Sequence, residues 1–274
     1  MAITLVAAGS ASTANYNTVT PGLPAGIQAG DVLLCFAFIR NRAATLSIDQ
    51  GWSTHGNYPH TSQAGRIYVF YKVAGASETG PTVTPGGGSS SNDVIAQIAA
   101  FRGVDTSTPF DTSLAGTSSS STATGIGPIG GFTPAGADAC VLVLGAKIDD
   151  FASTVDTLTQ AGQTFVEIGE PDSTAGNDAG IVWDYAIIAG AAVEITAKTF
   201  TVNDAGFTHW LGGMLALKPA ASGPVEGSGT LPLALLLSPV AGGATVAILA
   251  RMASSSRTLR SQGPNTVSQR RGMQ

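Results

Sequence analysis

An all-β fold is predicted for this 274-residue chain: an internally duplicated antiparallel β-sandwich, jelly-roll-like, followed by an apolar and then basic C-terminal arm. Three observations carry the prediction. Only 11% of residues are charged, while Gly numbers 35 and Pro 14, as expected of many short strands joined by tight turns. The run Asp31 to Phe38, bounded by Gly30 and Arg40, reads as a strand buried on both faces. About a hundred residues later the chain repeats it as Asp138 to Leu144, and each copy follows a Pro-Ala-Gly turn, Pro24-Ala25-Gly26 and Pro134-Ala135-Gly136.

Taken in order, Ile3 to Ala8 is the first strand. Met1 to Ala8 has no basic n-region and is not expected to act as a secretory signal. A Ser, Thr and Asn-rich stretch reaches Thr20, and Pro21 to Gly30 turns the chain into the central strand. Next come Thr45 to Ile48, the Gly51-Trp52 segment, the strand Arg66 to Val73, a short strand near Pro81 to Thr84, a loop from Pro85 to Ser91, and the strand Val94 to Phe101.

The second copy retraces this order. Ala8-Gly9-Ser10 matches Ala115-Gly116-Thr117, Gly65 and Tyr68 match Gly180 and Trp183, Ala74-Gly75-Ala76 matches Ala189-Gly190-Ala191, and Ile98 to Arg102 matches Met214 to Lys218. The domain limits follow: a body of residues 1–219 in two halves, about 3–104 and 112–219, joined through Arg102 to Thr112, and an arm of residues 220–274. A half with one apolar face needs a cover, so the two are expected to stack around a shared core. Cys35 and Cys140 read as buried hydrophobes, with a disulfide as the competing reading. Aligning Asp31 with Asp138 puts the two cysteines on the same strand face.

All 18 acidic residues lie at or before Glu226, and five of the 13 basic ones follow it. The acidic body argues against a nucleic-acid-binding face, which needs clustered Lys and Arg. Leu231 to Ala250 carries no charge. It reads as a docking arm formed by Leu231, Leu233, Leu235, Leu236, Leu237, Val246, Ile248 and Leu249, with Arg251, Arg257, Arg260, Arg270 and Arg271 pairing with acidic neighbours. The competing reading is a membrane span, against which stand Pro232, Pro239, Gly242 and Gly243.

Chemistry is sparse. Histidine bases are limited to His55, His60 and His209, no Gly-x-Ser-x-Gly elbow is present, and no metal-ligand spacing appears, so neither a catalytic set, a metal nor a cofactor is expected. Trp52, His55, Tyr58 and His60 lie in the aromatic segment Gly51 to Gln63, where they would form a sugar-stacking patch or else an ordinary loop with Trp52 in the core. Asp149-Asp150 and Glu167, Glu170, Asp172 and Asp178 read as solvated loop charge, with glycoside hydrolysis or calcium binding as the alternatives.

A family resemblance rests on Ala29-Gly30-Asp31-Val32-Leu33-Leu34, Gly51-Trp52, Tyr68 to Ala74, Ala100 to Thr106 with Pro109 behind it, and Leu215 to Pro219. On these residues the body, from about Ile3 to Pro219, resembles a family of β-sandwich proteins met in tailed-phage virion genes and in some bacterial surface proteins. The region after Ser222 has no counterpart in it. The resemblance implies a non-enzymatic virion structural protein, a tail, tail-tip or fibre component or a head decoration, assembled in the host cytoplasm. Its implied partners are other virion proteins, copies of itself and a host-surface glycan. The alternative is a bacterial cell-surface glycan-binding module held in a membrane by residues 231–250.

Overall fold

The structure is a computed structural model. It describes residues 2–221 except 63–64, 88–92, 150–157, 161–162, 174–177, 191–192 and 203–207. The chain divides into a compact unit Met1–Val225 and a second unit Glu226–Gln274. Every residue assigned above to the docking arm, Leu231 to Arg271, lies outside the described residues.

The first half contains β1 (Thr4–Ala8), β2 (Ser12–Asn15), β3 (Val32–Ile39), β4 (Thr45–Ile48), β5 (Ser53–Pro59), β6 (Arg66–Val73), β7 (Val83–Gly86) and β8 (Asp93–Arg102). Its large sheet runs β1-β8-β3-β6-β5, with β2 also on β8, and β4 pairs with β7 in a small sheet. Val19 bridges Val83 on the other side of β7. From β1 onward the chain therefore alternates between layers: β1 large, Val19 small, β3 large, β4 small, β5 and β6 large, β7 small, β8 large. This is the wrapping of a jelly roll, except that β5 stays beside β6 as a hairpin. Within the Gly51 to Gln63 segment, read above as a loop, Ser53–Pro59 is thus an edge strand.

The second half contains β9 (Ala115–Ser119), β10 (Gly125–Ile129), β11 (Cys140–Lys147), β12 (Thr159–Gln160), β13 (Gln163–Thr164), β14 (Val166–Gly169), β15 (Asp172–Ser173), β16 (Ala179–Ile187), β17 (Lys198–Thr201) and β18 (Trp210–Leu217). Its large sheet, β14-β16-β11-β18-β9, has the order of the first with each strand replaced by its counterpart. The β10–β17 pair stands where Val19 meets β7.

Three apolar clusters fill the body. One lies inside the first half, where Leu33, Cys35, Ala37 and Ile39 of β3 meet Leu46, Trp52 and Val83. A second lies inside the other half, where Val141 and Val143 of β11 meet Ile126, Phe165 and Phe200. The third is shared: Leu34, Phe36 and Phe38 of β3 pack with Leu142, Leu144 and Trp183. The expectation of one shared core between two single layers is therefore revised. Each half is a sandwich with its own core, and the two large sheets then stack back to back, which is why β3, β11 and β18 are buried along both faces.

Backbone pairing corrects the alignment of the halves by one residue. The Asp31 carbonyl accepts the Ala74 N–H, and the Ala139 carbonyl accepts the Ile188 N–H, at 2.8 Å in both cases. Asp31 thus corresponds to Ala139, while Asp138 takes the place of Gly30, and both adopt positive φ, 57° and 89°. In a strand a one-residue slip exchanges faces. Cys35 points into the core of the first half and Cys140 into the shared core, not onto equivalent faces, and both thiols are free. Likewise Trp183 sits opposite Leu144 as Val69 sits opposite Phe36, so Val69, not Tyr68, is its counterpart. The closing strands match as the sequence aligns them: Ile98 lies opposite Cys35 and Met214 opposite Val143.

Candidate functional site

The four residues expected to form a stacking patch do not share an open face. Gln50 and Gly51, both at positive φ, turn the chain so that Trp52 enters the first-half core at 8% exposure. His55 is the extra residue of a β-bulge, since Thr54 pairs with Phe70 and Gly56 with the next residue, Val69. The bulge turns its ring onto Phe110 from the linker, 3.5 Å between centroids and 15° from parallel, while Phe110 also meets the Tyr71 ring edge-on. Burial lowers the His55 pKa, opposed by a hydrogen bond to the Thr112 backbone. Tyr58 packs against the shared core, so closely over Gly116 that a Cβ there would stand 2.2 Å from the ring.

His60 is fully buried, and its ring nitrogens are both engaged. Nδ1 accepts the Ser62 N–H at 2.9 Å, so Nε2 carries the proton and donates to the Ser119 carbonyl at 2.8 Å. Burial lowers its pKa, the Ser119 bond opposes this, and His209 and Arg42 lower it further. The imidazole is neutral and occupied on both sides, so it has no free nitrogen to act as a base or ligand. His209, at positive φ just before β18, lies with its ring 5.3 Å from that of His60. Instead of a binding patch, His55, Tyr58 and His60 form one seam between the halves, joining β5 to the linker and β9.

On the opposite side of the stack, Gln97 of β8 accepts the Trp183 Nε1–H at 2.8 Å and donates to the Gly9 carbonyl at 3.2 Å. Trp183 is fully buried against Phe36, with centroids 5.9 Å apart. The linker is held by Asp105, whose carboxylate accepts from the backbone N–H groups and hydroxyls of Ser107 and Thr108 and sits well below the usual range for that reason. Arg102 makes a bidentate pair with Asp31, with two bonds of 2.8 Å. Burial pushes the Asp31 carboxyl up, but the Arg102 hydrogen bond, the Gln28 N–H and the Arg102 charge together hold it below its ordinary value.

Two buried carboxylates were not legible as special in the sequence. Asp184 on β16 accepts the Leu158 N–H at 3.1 Å, and its pKa is pushed up to about 6 by burial despite that bond, with Glu167 and Glu170 adding repulsion. Asp93 at the start of β8 is likewise raised to about 6, chiefly by burial. The only sequence signal for Asp184 is a charge within the apolar run Gly180 to Ile187. Among the described residues no group of three or more His, Cys, Asp or Glu could hold a metal ion, and no helix is long and apolar enough to cross a membrane. An open groove of about 440 Å³ lies on the small sheet of the second half, lined by Thr124, Gly125, Gly127, Pro128, Thr199 and Thr201 among others, none of them charged.

No protein-family model, curated protein or solved structure matches this chain.

Proposed function

We propose that this protein is a non-enzymatic structural component of a tailed-phage-type virion, in which the double sandwich is the exposed body and residues 220–274 dock it to neighbouring subunits. The observation that carries this reading is the use made of the polar and aromatic residues: His55, Tyr58, His60, Gln97 and Trp183 are spent on joining two jelly-roll-like halves into one block. Three of the edge pairings, β1 on β8, β5 on β6 and β14 on β16, carry register shifts. Such bulges discourage uncontrolled strand addition, and so favour a body that associates through a dedicated element. The arm supplies the apolar run and the arginines that such an element needs.

Light scattering after size-exclusion chromatography, without detergent, tests the reading on the full chain and on a chain ending at Ala221. A discrete oligomer that becomes a monomer on truncation is expected. An oligomer that survives truncation would remove the arm from assembly, and a full chain that disperses only in detergent would move the protein to the membrane-held alternative. In that second reading the neutral groove beside Thr199 is the surface suited to a glycan, because three hydroxyls and no charge line it. Loss of glycan-array signal on Thr199→Arg, but not on Trp52→Ala, is the result it requires.

A further inference from the structure

We propose that Asp93, Arg40 and Asp178 form a proton-operated clasp between the two halves, closed when the Asp93 carboxyl is protonated and loosened when it is charged. The inference is independent of the proposed function. Alternate residues of β8, Ile95, Ala99 and Phe101, line the shared core, so Asp93 points from the first half into the layer between the sheets. It is fully buried, and neither carboxylate oxygen has a hydrogen-bond partner. Arg40, just past β3, donates its backbone N–H to the Asp93 carbonyl at 2.9 Å. Its guanidinium reaches across the stack and donates through Nη1 to the Asp178 carbonyl of the second half at 2.8 Å.

The charged groups bearing on this cluster are Arg40 and Asp178 directly, and Asp149, past β11, through its attraction for Arg40. A buried carboxylate without donors is costly when ionised. Once charged, Asp93 also repels the Asp178 carboxylate and competes with the Asp178 carbonyl for the same guanidinium. A proton on Asp93 removes both conflicts. Burial raises its pKa from 3.8 to about 6, Arg40 pulling it down and Asp178 pushing it up. Because the folded value lies above the unfolded one, the contribution of the closed clasp is fully present below the unfolded pKa and is lost as pH rises through about 6.

Hydrogen exchange of the full chain, corrected for the intrinsic pH dependence of amide exchange, reads the clasp directly in peptides spanning Arg40 and Ile181. Both peptides are expected to be more protected at about pH 5 than at about pH 7.5. Asp93→Asn should be protected at both. Arg40→Gln should move the midpoint to higher pH, since it removes the attraction that stabilises charged Asp93, and Asp178→Asn should move it lower. The proposal is overturned if Asp93→Asn keeps the wild-type pH response or Arg40→Gln leaves the midpoint in place. It is equally overturned if calcium or magnesium restores protection at neutral pH in the wild type, because the occupant would then be a cation.

Discussion

Replacing Trp183 with Ala tests whether the two halves behave as one cooperative body. The side chain is fully buried in the shared core, and its indole N–H is bound by Gln97 from the opposite half. Emptying a buried Trp site costs about 3–5 kcal/mol, and leaving the Gln97 carbonyl oxygen without its donor adds about 1–3 kcal/mol. Together these approach the whole stability of an ordinary domain, about 5–15 kcal/mol. The loss falls on the contact between halves more than on either internal core, so the halves should separate energetically. Fluorescence is a suitable probe, since the remaining tryptophans report on different cores: Trp52 on the first half and Trp210 on the second. Urea unfolding of the Trp183→Ala chain should show two midpoints, whereas wild type should show one. Trp183→Phe should cost less, the hydrogen-bond part plus a smaller cavity term, and a double-mutant cycle with Gln97→Leu should recover a coupling of about 0.5–3 kcal/mol. A single transition with a loss under about 1 kcal/mol in Trp183→Ala would refute the reasoning.

Further outcomes follow from other contacts. Gly116→Ala should lower stability by about 1–3 kcal/mol in thermal unfolding, because the new Cβ meets the Tyr58 ring at 2.2 Å, and Tyr58→Ala in the same chain should recover part of the loss. Asp184→Asn should make less steep the decline in stability expected of wild type as pH rises from about 4 to about 6, leaving the share that Asp93 contributes, since a folded pKa near 6 means the proton is held in the folded state and lost in the unfolded one. Urea midpoints measured across that range decide it. Neither thiol should react with a colorimetric thiol reagent in the native protein, because Cys35 and Cys140 are fully buried and burial raises both pKa values. Both should react once the chain is unfolded in urea.

Much of the architecture was legible because it rests on local pattern. Eight uninterrupted apolar residues at Val32–Ile39 leave no face for water, and a second uncharged run at residues 140–146 implies the same layer twice. The order of matched segments likewise survived in the strand order of the two large sheets. Register was less accessible. A sequence match scores residue identity, so Asp31 paired with Asp138, whereas the backbone equates Asp138 with Gly30 through a shared left-handed conformation. The candidate site was legible only in part for a related reason: Trp52 lies in the core, as the second of its two readings had it, but His55, Tyr58 and His60 look alike in the sequence until a bulge and a neighbouring half assign each ring its own partner.

The sequence by itself determined that the chain is all-β, that it is duplicated, and that its two central strands are covered on both sides, because side-chain alternation and apolar runs are properties of a single strand. Only the tertiary structure decided which face of each strand meets which core, how the seams at His60 and Gln97 close, and that Asp93 and Asp184 are buried. Those outcomes depend on one-residue register and on groups distant in the chain, such as Ser119 beside His60 or Trp183 beside Gln97. The cost of burying a polar group is set by such neighbours, and they exist only once the sheets have stacked.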